Sequence, residues 1–155
     1  MLELFERLEA LPLGIAVRDS LWLFPVIEAV HLLGLALLGS AVLAVDLRLL
    51  GAGLRARPLA YVARQVNPLL TTAVAMLLVT GVPLFLSEAV KLYWSDAFRL
   101  KMASLAVALA FTYGVRRRVV QRDPEPGPWT ARATVLGSMA LWLTVAASGR
   151  WIGFS

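Results

Sequence analysis

Leu21-Trp22-Leu23-Phe24-Pro25-Val26-Ile27-Glu28-Ala29-Val30-His31-Leu32-Leu33-Gly34-Leu35-Ala36-Leu37-Leu38-Gly39 decides the fold. The stretch is apolar throughout except at Glu28 and His31. A helix crossing a bilayer core about 30 Å thick needs roughly 20 such residues. Ionisable groups inside a span are costly, so Glu28 and His31 mark a functional site by default. They stand three residues apart, on one helix face.

Three further runs repeat the pattern. The spans read as residues 21–45, 67–87, 97–115 and 131–149. Apolar residues make up 59% of the 155 and charged residues 16%, against about 45–50% and 25% in a soluble domain. Upstream, Leu2, Phe5, Leu8 and Leu11 recur at helical spacing, with Glu3, Glu6, Arg7 and Glu9 on the other face. Residues 2–11 therefore read as a short amphipathic helix on the membrane surface. The sequence predicts an all-α integral membrane four-helix bundle, one domain over 1–155, with that surface helix before it.

Local signals set the boundaries. Pro12 and Gly14 end the surface helix, and Asp19 or Ser20 caps the first span. That span extends toward Leu50, where Gly51-Ala52-Gly53 stops it. Asn67-Pro68 opens the second span, and Pro83 kinks its far end. Residues 88–96 form a polar, aromatic rim whose Tyr93 and Trp94 suit the headgroup belt. Asp123-Pro124-Glu125-Pro126-Gly127-Pro128 is a linker.

Charge fixes the orientation. The net charge is +5, and the basic residues gather at span ends, which points to topology rather than nucleic acid. Four spans put both termini on one side. The other side carries Arg48, Arg55, Arg57, Arg64, Arg116, Arg117, Arg118, Arg122 and Arg132, against Arg7, Arg18, Lys91, Arg99, Lys101 and Arg150. Basic residues collect in the cytoplasm. The expected location is the inner membrane, with both termini outside. The N-terminus is acidic and lacks a small-residue cleavage site, so no cleavable signal peptide is expected. With no cysteine, disulfides, thiolate metal sites and dithiol redox pairs are excluded.

At about 1.5 Å per helical residue, Lys101 and His31 lie roughly 22 and 25 Å above the inner Arg level. Arg150 and Glu28 lie roughly 27 and 30 Å above it. Four ionisable groups from three helices thus share one layer toward the outer face. One reading is a salt-bridged rim, with Glu28 paired to Lys101 or Arg150, in a non-catalytic structural subunit. Another is a haem b or porphyrin site. There His31 is the axial ligand, Lys101 and Arg150 hold propionates, and Glu28 orients His31 or relays protons. The sixth position is then open or filled by Lys101, Met76, Met102 or a partner chain. A third reading takes Glu28-x-x-His31 as half of a carboxylate metal site, in a small metal-handling or transport protein. Asp46 reads as structural, pairing with a loop Arg. Thr71, Thr72 and Thr80 read as bonding back to their own helix. Gly34, Gly39, Gly137 and Ser138 allow close helix approach. Exposed apolar faces and these small residues point to a homo-oligomer.

Glu28-Ala29-Val30-His31-Leu32-Leu33-Gly34, Gly39, Asp46-Leu47-Arg48-Leu49-Leu50-Gly51 and the closing Gly149-Arg150-Trp151-Ile152-Gly153-Phe154 resemble a family of small uncharacterised bacterial four-helix membrane proteins. More remotely, the early His31 followed by small residues is similar to the membrane protoporphyrinogen oxidases. So is Arg99-Leu100-Lys101-Met102-Ala103 at the start of span three. The general layout also resembles copper-resistance D type membrane domains. The oxidase resemblance implies that His31 and Lys101 serve haem binding and activity, in a cytochrome b-like oxidoreductase with a porphyrin or redox partner.

Overall fold

The computed structural model describes residues 2–53, 56–122 and 125–154. Arg55, Asp123, Pro124 and Ser155 lie outside these. The described residues form helices, with no strand among them. Four segments are long and apolar enough to cross a membrane: Leu23–Leu49, Leu59–Ser87, Asp96–Val120 and Pro128–Trp151. The protein is a multi-pass membrane helix bundle.

The N-terminal region holds two short helices rather than one. Helix α1 covers Leu2–Glu9 and α2 covers Pro12–Asp19. Pro12 does not simply stop α1; it opens α2 at a first-turn position, where its missing N–H costs nothing. Both helices are clamped to the end of the bundle that carries the chain termini. Phe5 packs edge-on to Phe85 at 5.8 Å and against Tyr93 at 5.0 Å, between ring centroids. Glu9 accepts from the Val90 N–H at 2.7 Å and pairs with Arg18 at 2.8 Å. Gly14 is buried, and a Cβ there would sit 2.6 Å from the Leu86 carbonyl oxygen. Only glycine permits that approach of α2 to the second span.

The N-cap of the first span, α3 (Leu23–Leu49), is Trp22 rather than Asp19 or Ser20; the Ser20 hydroxyl closes the turn before it, accepting from the Trp22 and Leu23 N–H groups at 3.3 and 3.1 Å. The second, α4 (Leu59–Ser87), starts eight residues before Asn67-Pro68, so Pro68 lies within the helix rather than opening it. The extra turns are held at their start by Glu125, which accepts from the Leu59 N–H at 2.9 Å and pairs with Arg48 at 2.8 Å. The rim contains a short helix, α5 (Ala89–Trp94). The third span runs as α6 (Asp96–Ala110), a π-helical segment (Phe111–Arg116) and α7 (Arg117–Val120). The fourth is α8 (Pro128–Trp151), opened by Pro128 at its first position.

Helix α3 packs chiefly on α4, and α6 chiefly on α8, while α3 and α8 join the two pairs. Leu38, Ala41, Val42, Leu70, Ala73, Ala108, Trp142 and Val145 form the central core. Gly34 is buried where α3 meets Met76 and Leu77 of α4. Gly137 receives the Phe111 ring, whose Cζ would lie 3.1 Å from an added Cβ. Gly39 differs from the sequence expectation. It is exposed and faces open space, so it serves no close approach.

Asp46 is fully buried, and its partner is not a loop arginine but Arg116 of the third span. Arg116 Nε donates to Asp46 Oδ1 at 2.9 Å, and its NH2 donates to the Val42 carbonyl at 2.9 Å. Burying either charge alone in hydrocarbon would be prohibitive, so the pair ties the first span to the third. It does so toward the arginine-rich end, away from the His31 layer.

Candidate functional site in the terminal half of the bundle

His31 sits on α3 about 7 Å from the helix midpoint, on the terminal side. Its ring is half-buried against α4. His31 Nδ1 lies 2.8 Å from Thr80 Oγ1. The Thr80 hydroxyl in turn donates to the Met76 carbonyl at 2.6 Å. A hydroxyl has one proton, and here it is spent on the backbone. With that proton on the Met76 carbonyl, Thr80 accepts from His31, and the imidazole proton is on Nδ1. In the neutral ring, the lone pair is then on Nε2. Thr80 does bond back to its own helix, as the sequence indicated; that same bond makes it an acceptor for His31.

The next residue, Gly81, leaves room for the ring. A Cβ there would touch His31 Cε1 at 3.4 Å and Nδ1 at 3.9 Å. The pair Thr80-Gly81 is thus a two-residue seat for the imidazole, one residue fixing the proton and the other the position.

Lys101 of α6 is also half-buried. Its chain lies along Gly149 of α8, where a Cβ would meet Nζ at 3.4 Å and Cε at 3.5 Å. His31 and Lys101 are thus both half-buried, on different helices. Arg150 follows Gly149 directly and is exposed.

Glu28 stands apart. It is exposed on α3, and among the described residues it forms no ion pair with Lys101 or Arg150. The sequence-based pairing of Glu28 with either cation is corrected on this point. The physical reason is rotation: His31 turns toward α4, while Glu28 keeps to the outer surface of α3. No group of three or more His, Asp or Glu side chains converges among the described residues. Glu28-x-x-His31 thus gains no third protein ligand there. Of the sulfur candidates, Met76 packs at Gly34 within the α3–α4 interface, and Met102 is exposed.

Thr80 and Gly81 are the site residues that sequence reasoning missed. The available signal was a threonine–glycine pair in the second span at the depth of His31.

Residues 19–155 match the model of the family of unknown function DUF6644, and the chain belongs to that family. No curated protein and no solved structure matches the chain.

Proposed function

We propose that this chain is a b-type haem-binding or porphyrin-handling protein of the inner membrane, with His31 as axial ligand through Nε2. One observation carries the reading: the Met76 carbonyl–Thr80 hydroxyl–His31 Nδ1 chain. A histidine that binds a metal through one nitrogen usually donates its other N–H to an acceptor, which fixes ring and tautomer. His31 has that arrangement already. The sequence holds a single histidine, so each chain would supply one imidazole ligand.

A haem held here supplies one-electron chemistry. The residues of the chain bind and tune it. Lys101, half-buried on α6, offers a cation suited to a propionate. Arg150 follows Gly149, whose notch holds the Lys101 chain. His31 and Lys101 are also the two positions at which the sequence resembles the membrane protoporphyrinogen oxidases.

The Arg-rich ends of the spans belong in the cytoplasm by charge bias, with both termini and the His31 layer on the outer side. A homo-oligomer is part of this reading. Glu28 is a carboxylate on a bundle surface that also exposes Leu32, Leu33 and Val26. A second copy against that face shields the carboxylate from lipid.

The competing structural-subunit reading needs an ion-pair network in the outer layer. Among the described residues the buried ion pair is Asp46–Arg116, at the other end, while the pairs at the terminal end, such as Glu9–Arg18, are partly exposed and do not include Glu28.

The test is the absorption spectrum of protein purified in mild detergent and titrated with haem. A Soret band that is lost in His31→Ala supports the proposal. No band in the wild type after haem addition overturns it.

A further inference from the structure

The arginine-rich half of the bundle contains a second polar site, unrelated to His31. A cleft of about 500 Å³ opens between α4 and the π-helical part of the third span. It exists because α4 packs mainly on α3 while the third span packs mainly on α8, leaving the fourth side of the ring unsealed. Arg64, Arg116 and Arg117 line it, joined by Asn67 and Gln121, over an apolar floor that includes Leu70.

Three features make this more than a set of interfacial cations. Arg116 is almost completely buried and is held in place by Asp46 and the Val42 carbonyl. That leaves guanidinium N–H groups uncommitted in a preset orientation, since a guanidinium has five. The wall carrying it is a π-helical turn, a wide-turn feature frequent at functional sites. The charge is also unbalanced. Three arginines line the cleft with no acidic residue among the lining, and Asp46 behind them offsets one charge. At about 1.5 Å per residue, Arg64 and Arg117 both lie roughly 13 Å from the midpoints of their spans. That is the depth at which the acyl region gives way to headgroups.

We infer that this cleft binds the phosphate of an anionic phospholipid. Arg64, Arg116 and Arg117 grip the headgroup, and an acyl chain lies along the floor toward Leu70. Arginine suits this because its planar fork matches phosphate oxygens. Basic pockets between spans on the cytoplasmic side bind such headgroups. The lateral opening toward the bilayer commits the site to a lipid rather than to a soluble anion.

The experiment compares thermal unfolding of the full chain in detergent with added phosphatidylglycerol, phosphatidylcholine or inorganic phosphate. Native mass spectrometry counts the lipid retained. Phosphatidylglycerol is expected to raise the melting temperature and stay bound, while the other two have little effect. Arg64→Gln with Arg117→Gln spares the Asp46–Arg116 pair and is expected to weaken phosphatidylglycerol binding about thirtyfold, counting both cations. Arg64→Lys with Arg117→Lys retains most of the binding. Equal stabilisation by phosphatidylcholine overturns the inference. So does an equal effect of inorganic phosphate, which would make this a free-anion site. Unchanged phosphatidylglycerol binding in the Gln pair also overturns it.

Discussion

His31 Nδ1 and Thr80 Oγ1 are 2.8 Å apart, and the Thr80 proton is already given to the Met76 carbonyl. This relationship between the first and second spans pairs Nδ1 with a protein partner and leaves Nε2 without one at Thr80. It predicts that Thr80→Val leaves the fold intact but weakens haem binding about 10- to 100-fold, the usual cost of removing such a partner. Thr80→Ser restores it. Haem titration followed by the Soret band makes the comparison; equal affinity in all three proteins would remove Thr80 from the site.

Gly81 tests the seat of the ring. An alanine methyl group there makes an ordinary contact with His31 Cε1 at 3.4 Å, so Gly81→Ala should retain the haem band. Gly81→Leu extends carbon atoms into the ring's position and should shift or abolish the band. The two spectra, taken on protein of matched melting temperature, separate displacement of His31 from loss of fold.

The Asp46–Arg116 pair tests the assembly of the spans. Removing one partner of a buried pair strands the other charge and costs about 3–5 kcal/mol. Asp46→Leu or Arg116→Leu alone should therefore destabilise the bundle strongly. The double change should recover much of the loss, because no charge is left unpaired. Equilibrium unfolding in mixed micelles measures all three variants.

Gly14 tests the docking of α2. A Cβ there meets the Leu86 carbonyl at 2.6 Å, and backbone cannot swing aside. Gly14→Ala should cost about 1–3 kcal/mol, the range for overpacking. Limited proteolysis should cut first between α1 and α3 in the variant.

The spans were legible because bilayer thickness imposes a length and an apolar content that few other structures require. Their ends were less so. Pro12 and Pro68 are both helix breakers by local rule. Yet Pro12 opens a helix, and Pro68 is carried inside one whose start is fixed by Glu125, 66 residues away at Leu59. No local window contains that contact. In the polar layer, depth counting puts His31, Lys101, Arg150 and Glu28 at one level. Depth carries no information about rotation around the helix axis, so it grouped Glu28 with residues it does not face. The partner of Asp46 was hidden for the same reason. Arg116 opens a run of three arginines that reads as a boundary, but only Arg116 turns inward.

The central claim is that His31 offers a free Nε2 to a haem. The most direct measurement is the absorption spectrum of haem-titrated protein, wild type against His31→Gly, with and without added imidazole. The account predicts a Soret band in the wild type, its loss in His31→Gly, and its return when imidazole fills the vacated place. A wild-type protein that gives no band after haem addition, or a band indifferent to His31→Gly, would contradict it.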